Sequence, residues 1–301
     1  DYKEQQRLYG KADFYSMDPF HEGGNAGGVD LRKAGEAIMG AMKAVNPNAV
    51  WVVQAWGACP YPSMIKHLKN GDMLVLDLYS ENRPQWGNSE STWYRKEGFN
   101  GHDWAFCMLL NFGGNVGMFG KLQHVVDEYY KARCSSFKST MKGVGLTMEG
   151  IENNPVMYEL VSELPWRDAK FSWKEWLHDY VEARYGNINN AKVHDAWLLL
   201  ARSVYGAGAK IVEQGCHESV LCARPALDVY QVSSWSEMEE FYNPDDVINA
   251  ARLMVEASHE VKANDNFRYD LVDVTRQAIA EQARYVYDEV VAAYKAKDRK
   301  M

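Results

Sequence analysis

Short apolar runs alternate with polar, glycine-containing segments along the first half of the chain. The runs cover residues 14–17, 50–54, 73–78, 105–110 and 144–148. Each has about the length of a buried strand, and apolar residues at helical spacing lie between most of them. Because strands that alternate with helices usually form a parallel sheet, the pattern predicts an α/β fold.

Polar and glycine residues follow each of these runs, at what would be the carboxyl end of a strand. This distribution is typical of the ligand-binding face of a (β/α)₈ barrel. A doubly wound open sheet follows a similar rule, so the periodicity leaves both architectures open. If the fold is a barrel, we expect about three of its eight strands to precede Asp1.

Beyond about residue 155 the chain changes to helical periodicity. Asn154 and Pro155 fit the start of a helix. Further helices are predicted at 173–185, 191–205 and 244–261, and a last long one is marked by apolar positions from Phe267 to Val290. We therefore predict the C-terminal part of a (β/α)₈ TIM-like barrel in residues 1–166 and an α-helical domain, itself incomplete, in residues 167–301.

The composition is that of a globular, mildly acidic protein. Of the 301 residues, 47% are hydrophobic and 25% are charged, and the net charge of −8 argues against a nucleic-acid partner. No run approaches the roughly 18 apolar residues that a membrane-spanning helix needs. Ten Trp and eighteen Tyr suit sugar rings, whose apolar faces pack on aromatic side chains, but most of these residues are better explained as core. Nothing in the composition specifies an oligomeric state.

The five cysteines are Cys59, Cys107, Cys134, Cys216 and Cys222, and they form no CxxC motif and no metal-binding spacing with histidine. We predict free, mostly buried thiols, and only Cys216 and Cys222 are close enough in sequence for a local disulfide. No Ser-His-Asp order or HExxH metal motif stands out. The sequence has no N-x-Ser/Thr sequon, which favours a bacterial source.

Two glutamates stand at the ends of predicted strands. Glu22 follows the first run, within the segment Asp18-Pro-Phe-His-Glu-Gly-Gly-Asn25. The glycines after it let the backbone turn tightly and come close to a ligand. Glu149 occupies a similar junction after the fifth run. The two carboxylates can act together only if the fold brings these distant positions of the chain close together.

Further polar residues lie near the other strand ends. Gln54 and Trp56 face the ligand end if the fold is a barrel. Asp77 is either a ligand-binding acid or a buried carboxylate that accepts backbone hydrogen bonds. The segment Asn111-Phe-Gly-Gly-Asn115 lacks a Walker lysine and a GxGxxG pattern, so a phosphate-binding role is not favoured.

Six short motifs, in the same order along almost the whole chain, resemble those of the α-N-acetylglucosaminidases of glycoside hydrolase family 89. They are Asp18-Pro-Phe-His-Glu-Gly-Gly-Asn25, Val75-Leu-Asp-Leu78, Leu110-Asn-Phe-Gly-Gly114, Gly145-x-x-x-Glu149-x-Ile151-x-Asn153, Arg224-Pro225 with Trp235, and Phe267-Arg-Tyr-Asp270. The resemblance implies a barrel followed by a helical domain that contributes to the pocket. It also implies a protein that extends past both ends of this chain.

The activity implied by the resemblance is that of a retaining exo-glycoside hydrolase that releases terminal α-linked N-acetylglucosamine from glycans. Glu22 takes the position of the acid/base and Glu149 that of the nucleophile. Substrate-binding roles are expected for His21, Asn25, Gln54, Trp56, Asp77, Asn111 and Trp235.

The residue types fit this chemistry. Glycosidic bond cleavage needs a protonated carboxylic acid at the leaving oxygen and an ionised carboxylate at the anomeric carbon, and two glutamates in unlike surroundings supply both. No cofactor and no metal is required. The alternative is a non-catalytic carbohydrate-binding protein or an inactive fragment of such an enzyme.

The segment around the acid/base differs in human-like members of the family, so this sequence is nearer to the bacterial pattern. We expect a secreted, periplasmic or cell-surface location in a bacterium, or a lysosomal one if the source is eukaryotic.

Overall fold

The computed structural model describes residues 1–22, 24–111, 115, 117–150, 154–209, 219–232, 240–261 and 263–298. The chain forms two compact units. Unit 1 comprises Asp1–Leu109 and Glu128–Thr147, and unit 2 comprises Leu110–Asp127 and Met148–Met301. Each unit is thus built from two stretches of chain, whereas the predicted domain boundary between residues 166 and 167 divides the chain once and stays a prediction.

Unit 1 contains a five-stranded parallel sheet, which confirms the predicted fold class. Its strands are β1 (Phe14–Ser16), β2 (Val50–Ala55), β3 (Met73–Asp77), β4 (Asp103–Met108) and β5 (Met141–Leu146). They are hydrogen-bonded in the order β1-β2-β3-β4-β5, and every neighbouring pair is parallel. A doubly wound sheet reverses its strand order at a switch point, whereas barrel strands follow one another in chain order. The unbroken order therefore identifies the sheet as an arc of a (β/α) barrel.

Helices precede or separate most of the strands. They are α1 (Tyr2–Tyr9), α2 (Leu31–Lys43), α3 (Pro62–Ile65) and α4 (Leu122–Cys134), the last of which runs from the sequence of unit 2 into that of unit 1. The side chain of Asp30 caps α2 by accepting a hydrogen bond from the Lys33 N–H. Residues 78–102, all of them described, join β3 to β4 without a helix.

Strands β2 and β4 carry most of the buried apolar side chains of the sheet. In β2 the buried positions alternate, and Trp51, Val53 and Ala55 have no exposed surface. In β4 every residue after Asp103 is buried. Strands covered on both faces read as continuous apolar runs, which is why β4 was visible in the sequence.

Some boundaries differ from those predicted. Helix α1 was missed because it buries no residue and so shows no apolar face. The pattern around residues 63–69 predicts a short helix, but α3 ends at Ile65, ahead of the left-handed Gly71 that leads into β3. Strand β4 ends at Met108 because Leu110 adopts φ 70° and cannot continue the extended chain.

The described cysteines are free thiols. Cys59 and Cys107 are buried, while Cys134 and Cys222 are exposed. Cys216 lies outside the described residues.

A buried carboxylate, that of Asp77, holds the loop after β3. Its Oδ2 accepts hydrogen bonds from the backbone N–H groups of Gln85 (2.9 Å) and Trp86 (3.1 Å), and its Oδ1 is buried without a hydrogen-bond partner. Nearby, the Arg95 guanidinium donates to Gln85 Oε1 and to two backbone carbonyls of the loop after β2. Burial raises the pKa of Asp77 to about 7, although its backbone donors and Arg95 oppose the rise.

Unit 2 is helical in its described part beyond β5. Its helices are α5 (Pro155–Glu163), α6 (Trp173–Tyr185), α7 (Ala191–Arg202), α8 (Pro244–Val261) and α9 (Asp265–Ala296). Ser172 caps α6, Asn190 caps α7 and Asn264 caps α9, each by accepting hydrogen bonds from backbone N–H groups of the first turn. No helix in the described part of the chain is long and apolar enough to cross a membrane.

A chain of polar contacts runs through the core of these helices. Trp197 Nε1 donates to the Tyr185 hydroxyl at 2.9 Å, and that hydroxyl donates to Asp270 Oδ2 at 2.6 Å. Arg184 closes the chain with two hydrogen bonds to the Asp270 carboxylate, of 2.5 and 2.9 Å. Burial raises the pKa of Asp270, while the hydrogen bonds from Arg184 and Tyr185 favour its ionised form. The carboxylate thus ties α9 to α6.

Replacing Asp77 with Asn should remove a pH dependence of stability. Between the ordinary carboxyl pKa of 3.8 and about 7 only the folded state retains the Asp77 proton, so the wild-type protein loses stability as the pH rises through this range. Asn resembles the protonated acid. The free energy of unfolding of Asp77→Asn, minus that of the wild type, should therefore increase by up to about 4 kcal/mol from about pH 4 to about pH 8.

Denaturant unfolding at a series of pH values measures this difference. Glu36→Gln, on the exposed surface of α2, is the matched control and should show a flat difference. A flat line for Asp77→Asn as well would contradict a carboxyl group that stays protonated in the fold.

Replacing Asp270 with Ala should lower the free energy of unfolding by about 3 to 5 kcal/mol, because it leaves the guanidinium of Arg184 and the hydroxyl of Tyr185 without their shared acceptor. The control is Asp265→Ala on the same helix, whose side chain is 91% exposed and pairs with Arg268. That change should cost less than about 1 kcal/mol. Equal losses of unfolding free energy in the two variants would show that the buried contacts of Asp270 stabilise the protein no more than an exposed ion pair does.

Candidate functional site

The loop after β1 is attached to the end of β2. Asp18 Oδ1 accepts a hydrogen bond from the Gln54 N–H at 2.7 Å, and Trp51 Nε1 donates to the Met17 carbonyl at 2.8 Å. The Cys59 thiol, whose pKa is raised by burial, contacts the Phe20 carbonyl oxygen at 3.3 Å. These contacts fix the segment that carries Glu22 at the carboxyl end of the parallel strands.

The backbone of this loop is in an unusual conformation. Phe20 and Glu22 have φ of 64° and 45°, in the left-handed region that residues with a side chain rarely adopt. A Cβ atom at Gly24 would lie 2.8 Å from backbone atoms of Phe20, so only glycine fits there. Such strained backbone persists where the surrounding contacts over-determine it, and it is common at functional sites.

The side chains of the loop differ in exposure. Glu22 and Asn25 are exposed, and Asn25 Oδ1 accepts a hydrogen bond from the Gly27 N–H at 2.7 Å. His21 is largely covered, with its Nε2 3.9 Å from Asp18 Oδ1 and without a hydrogen-bond partner. Glu22 is therefore the accessible carboxylate of the loop, and His21 supplies a polar nitrogen beside it.

Aromatic residues gather after β2 and β3. The rings of Trp56 and Tyr79 are stacked with centroids 6.0 Å apart, and the Trp93 ring meets Trp56 edge-on at 4.7 Å. The Arg83 guanidinium lies over Trp93, 5.1 Å from the ring centroid. Trp56 was predicted from the sequence, whereas Trp93 was missed because it lies in the helix-free loop between β3 and β4, where no periodicity indicates its neighbours.

Two more predicted residues of unit 1 lie close to this group. Gln54, at the end of β2, has a half-buried side chain. Asp77 is fully buried and accepts backbone hydrogen bonds, which was one of the two alternatives for it. A direct sugar contact of Gln54 or Asp77 stays a prediction.

Unit 2 carries Glu149 and Asn111. Glu149 is exposed, and Asn111 is buried with its Nδ2 donating to the Asn115 carbonyl at 2.8 Å. A Cβ atom at Gly150 would lie 3.1 Å from Asn111 Nδ2, so the Asn111 side chain packs against the residue that follows Glu149. Trp235 lies outside the described residues.

One group of side chains in the described part of the chain has donor atoms close enough to share a metal ion. It consists of His178 and Glu182 on α6 and His194 on α7, and no sequence motif had indicated it. None of the predicted site residues belongs to this group.

Family models match both halves of the chain. Residues 2–168 match the α-N-acetylglucosaminidase (NAGLU) TIM-barrel domain, and residues 176–301 match the NAGLU C-terminal domain. Human α-N-acetylglucosaminidase is 34% identical over 308 aligned positions, which cover 98% of this chain and 39% of the human protein.

Solved structures agree with this similarity. A family 89 glycoside hydrolase from Clostridium perfringens in complex with PUGNAc superposes with a TM-score of 0.87 at 32% identity, covering 98% of this chain and 32% of that one. A second structure, with two Glu-to-Gln substitutions and in complex with its substrate GlcNAc-α-1,4-galactose, gives a TM-score of 0.88 at 32% identity with the same coverage.

The chain spans only about a third of the length of these relatives. Within that span, the motifs from Asp18 to Asp270, the ordered parallel sheet and the following helices agree with both family models. The chain therefore belongs to the α-N-acetylglucosaminidase family, glycoside hydrolase family 89.

Proposed function

We propose that this chain carries the catalytic carboxylates of a retaining exo-glycoside hydrolase that releases terminal α-linked N-acetylglucosamine. The observation that carries the proposal is the accessible carboxylate of Glu22, held on a strained loop at the carboxyl edge of a parallel sheet that belongs to this family. This edge is where the ligand groups of barrel enzymes lie.

In the proposed first step, Glu149 attacks the anomeric carbon while Glu22 donates its proton to the departing glycosidic oxygen. The bond from sugar to aglycone breaks, and a glycosyl ester on Glu149 forms. In the second step, Glu22, now ionised, takes a proton from water, which attacks the anomeric carbon and releases Glu149. Two inversions return the α configuration.

The proposed substrate is a glycan with a terminal α-N-acetylglucosamine. The Clostridium perfringens relative was captured with GlcNAc-α-1,4-galactose when two of its glutamates were replaced by glutamine, which supports a two-glutamate mechanism in this family. The exposed parts of Trp56 and Trp93 supply aromatic surface of the kind on which sugar rings stack. We propose Trp235 as a further wall of the pocket.

Glu22→Ala and Glu149→Ala should respond differently to the leaving group. Protonation by Glu22 matters most for poor leaving groups, so Glu22→Ala should still release an acidic nitrophenol from its α-N-acetylglucosaminide, in a burst, yet cleave a sugar–sugar bond at least about 100-fold more slowly than the wild type. Glu149→Ala lacks the attacking group and should be slow on both substrates. Stopped-flow release of nitrophenol and chromatography of the disaccharide products measure these rates.

Azide provides the control. It needs no general base, so it should accelerate the second step of Glu22→Ala and yield an α-glycosyl azide, whereas any azide product of Glu149→Ala should be the β anomer. Glu36→Ala, on the surface of α2, should behave like the wild type. Exchanged anomers would reverse the two assignments, and a wild-type protein that binds the glycan without hydrolysis would instead support a carbohydrate-binding role.

The separation of the two carboxyl groups tests the stereochemical outcome. In a crystal structure of the complete protein with a sugar-like inhibitor, the carboxyl groups of Glu22 and Glu149 should lie roughly 5 to 5.5 Å apart, because a nucleophile must touch the anomeric carbon. A separation of about 6.5 to 9.5 Å leaves room for a water molecule and would show an inverting enzyme. Proton NMR of the first-formed sugar anomer is the independent check.

A further inference from the structure

A histidine and a glutamate lie on one face of α6, one turn apart. His178 and Glu182 are four positions apart in the helix, the spacing that places two side chains side by side. His194, in the first turns of α7, faces them across the helix pair. Its Nε2 is 2.5 Å from Glu182 Oε1, and its ring is stacked on that of His178 with the centroids 4.6 Å apart.

The donor atoms of these three side chains all lie within 4.8 Å of one another. A tetrahedral zinc ion holds nitrogen and oxygen donors at about 2.0 to 2.2 Å, which puts the donors about 3.4 Å apart. Metal binding therefore requires shifts of about 1 Å, because the more distant donor atoms must approach one another and the atoms of the His194–Glu182 contact must move apart. Rotations of the exposed His178 side chain, of which 65% is accessible, can supply much of that movement.

The carboxylate is already oriented by its surroundings. Glu182 and His194 each expose only 18% of their side chains, and Glu182 Oε2 accepts a weak hydrogen bond from the Asn189 N–H in the α6–α7 connection at 3.4 Å. Such outer contacts fix the direction of metal ligands. Asp179, 3.7 Å from His178 Nδ1, adds negative charge beside the group.

We propose that His178, Glu182 and His194 bind a divalent first-row transition metal, with zinc as the best match to two imidazoles and one carboxylate. Binding replaces the contact between His194 Nε2 and Glu182 Oε1 with a bond from each side chain to the ion. Three protein ligands leave one coordination position for water. The ion would clamp α6 to α7 within unit 2, which is a role separate from glycoside hydrolysis.

Calorimetric titration of the complete protein with ZnCl₂ tests the proposal, after alkylation of the exposed thiols Cys134 and Cys222, which could bind zinc themselves. The wild type should bind one zinc ion at this site and should melt at a higher temperature with zinc than without. Mg²⁺, which prefers oxygen ligands, should have no such effect.

The informative variant is His178→Ala, because it removes a metal ligand and leaves the His194–Glu182 hydrogen bond in place. It should bind zinc at least about tenfold more weakly while its metal-free melting temperature falls only slightly, through the lost stacking on His194. Glu182→Gln should weaken binding similarly, and the control His259→Ala, an exposed histidine on α8, should bind as the wild type does. Unchanged zinc affinity in His178→Ala and Glu182→Gln, or no saturable binding to the wild type, would contradict the proposal. The three side chains would then serve only as contacts between α6 and α7.

Discussion

The pairing of each strand with its neighbour in the chain, always in parallel, is the constraint on which the candidate site of unit 1 depends. Because β1 to β5 all point the same way, every connection after a strand begins at the same edge. Bonds just past the strand ends then fasten adjacent connections. Ser80 N–H donates to the Cys107 carbonyl, and the Thr147 hydroxyl donates to the Leu78 carbonyl, which links the end of β5 to that of β3.

Much of this architecture could be predicted because it follows from periodicity. Apolar runs located the five strands, and capping residues with helical spacing located α6 and α8 at their observed bounds. The position of Glu22 followed from the strand before it. The alternatives for the sheet could not be separated from sequence, since barrel and doubly wound folds share the same run of elements and differ only in strand order.

The parts that escaped prediction depend on contacts between residues far apart in the chain. Arg95 lies in an irregular loop, and nothing in its neighbourhood indicates that it will reach the carbonyls after β2. Trp93 is missed for the same reason. His178 and His194 belong to different helices, so their approach follows from the turn between α6 and α7 rather than from a motif. Asp77 could be either a ligand or a buried acceptor because both uses place a carboxylate at a strand end.

Both units use a buried carboxylate to hold separate segments together, but by different means. Burial raises the pKa of Asp77 to about 7 and its Oδ2 accepts two backbone N–H hydrogen bonds, whereas the Asp270 carboxyl accepts two hydrogen bonds from the Arg184 guanidinium. Segments fixed by a carboxyl group with a raised pKa respond to pH, whereas those fixed by an ion pair depend on keeping both partners. The stability that Asp77 gives to the loop after β3 therefore depends on pH, whereas the stability that Asp270 gives to the helical core depends on retaining Arg184.

Two of the anchors that hold the loop between β3 and β4 are Asp77, which binds Gln85 and Trp86, and the guanidinium of Arg95. Residues 87–94 form a span between these two anchors, and Trp93 lies within it. Residues of this span also reach helix α4, since Asn88 Nδ2 donates to Glu128 Oε2 at 2.8 Å and Glu90 pairs with Lys131. A designer who wishes to alter the aromatic surface around Trp93 would therefore have to keep Asn88 and Glu90, because exchanging the whole span would also remove the support that it gives to α4.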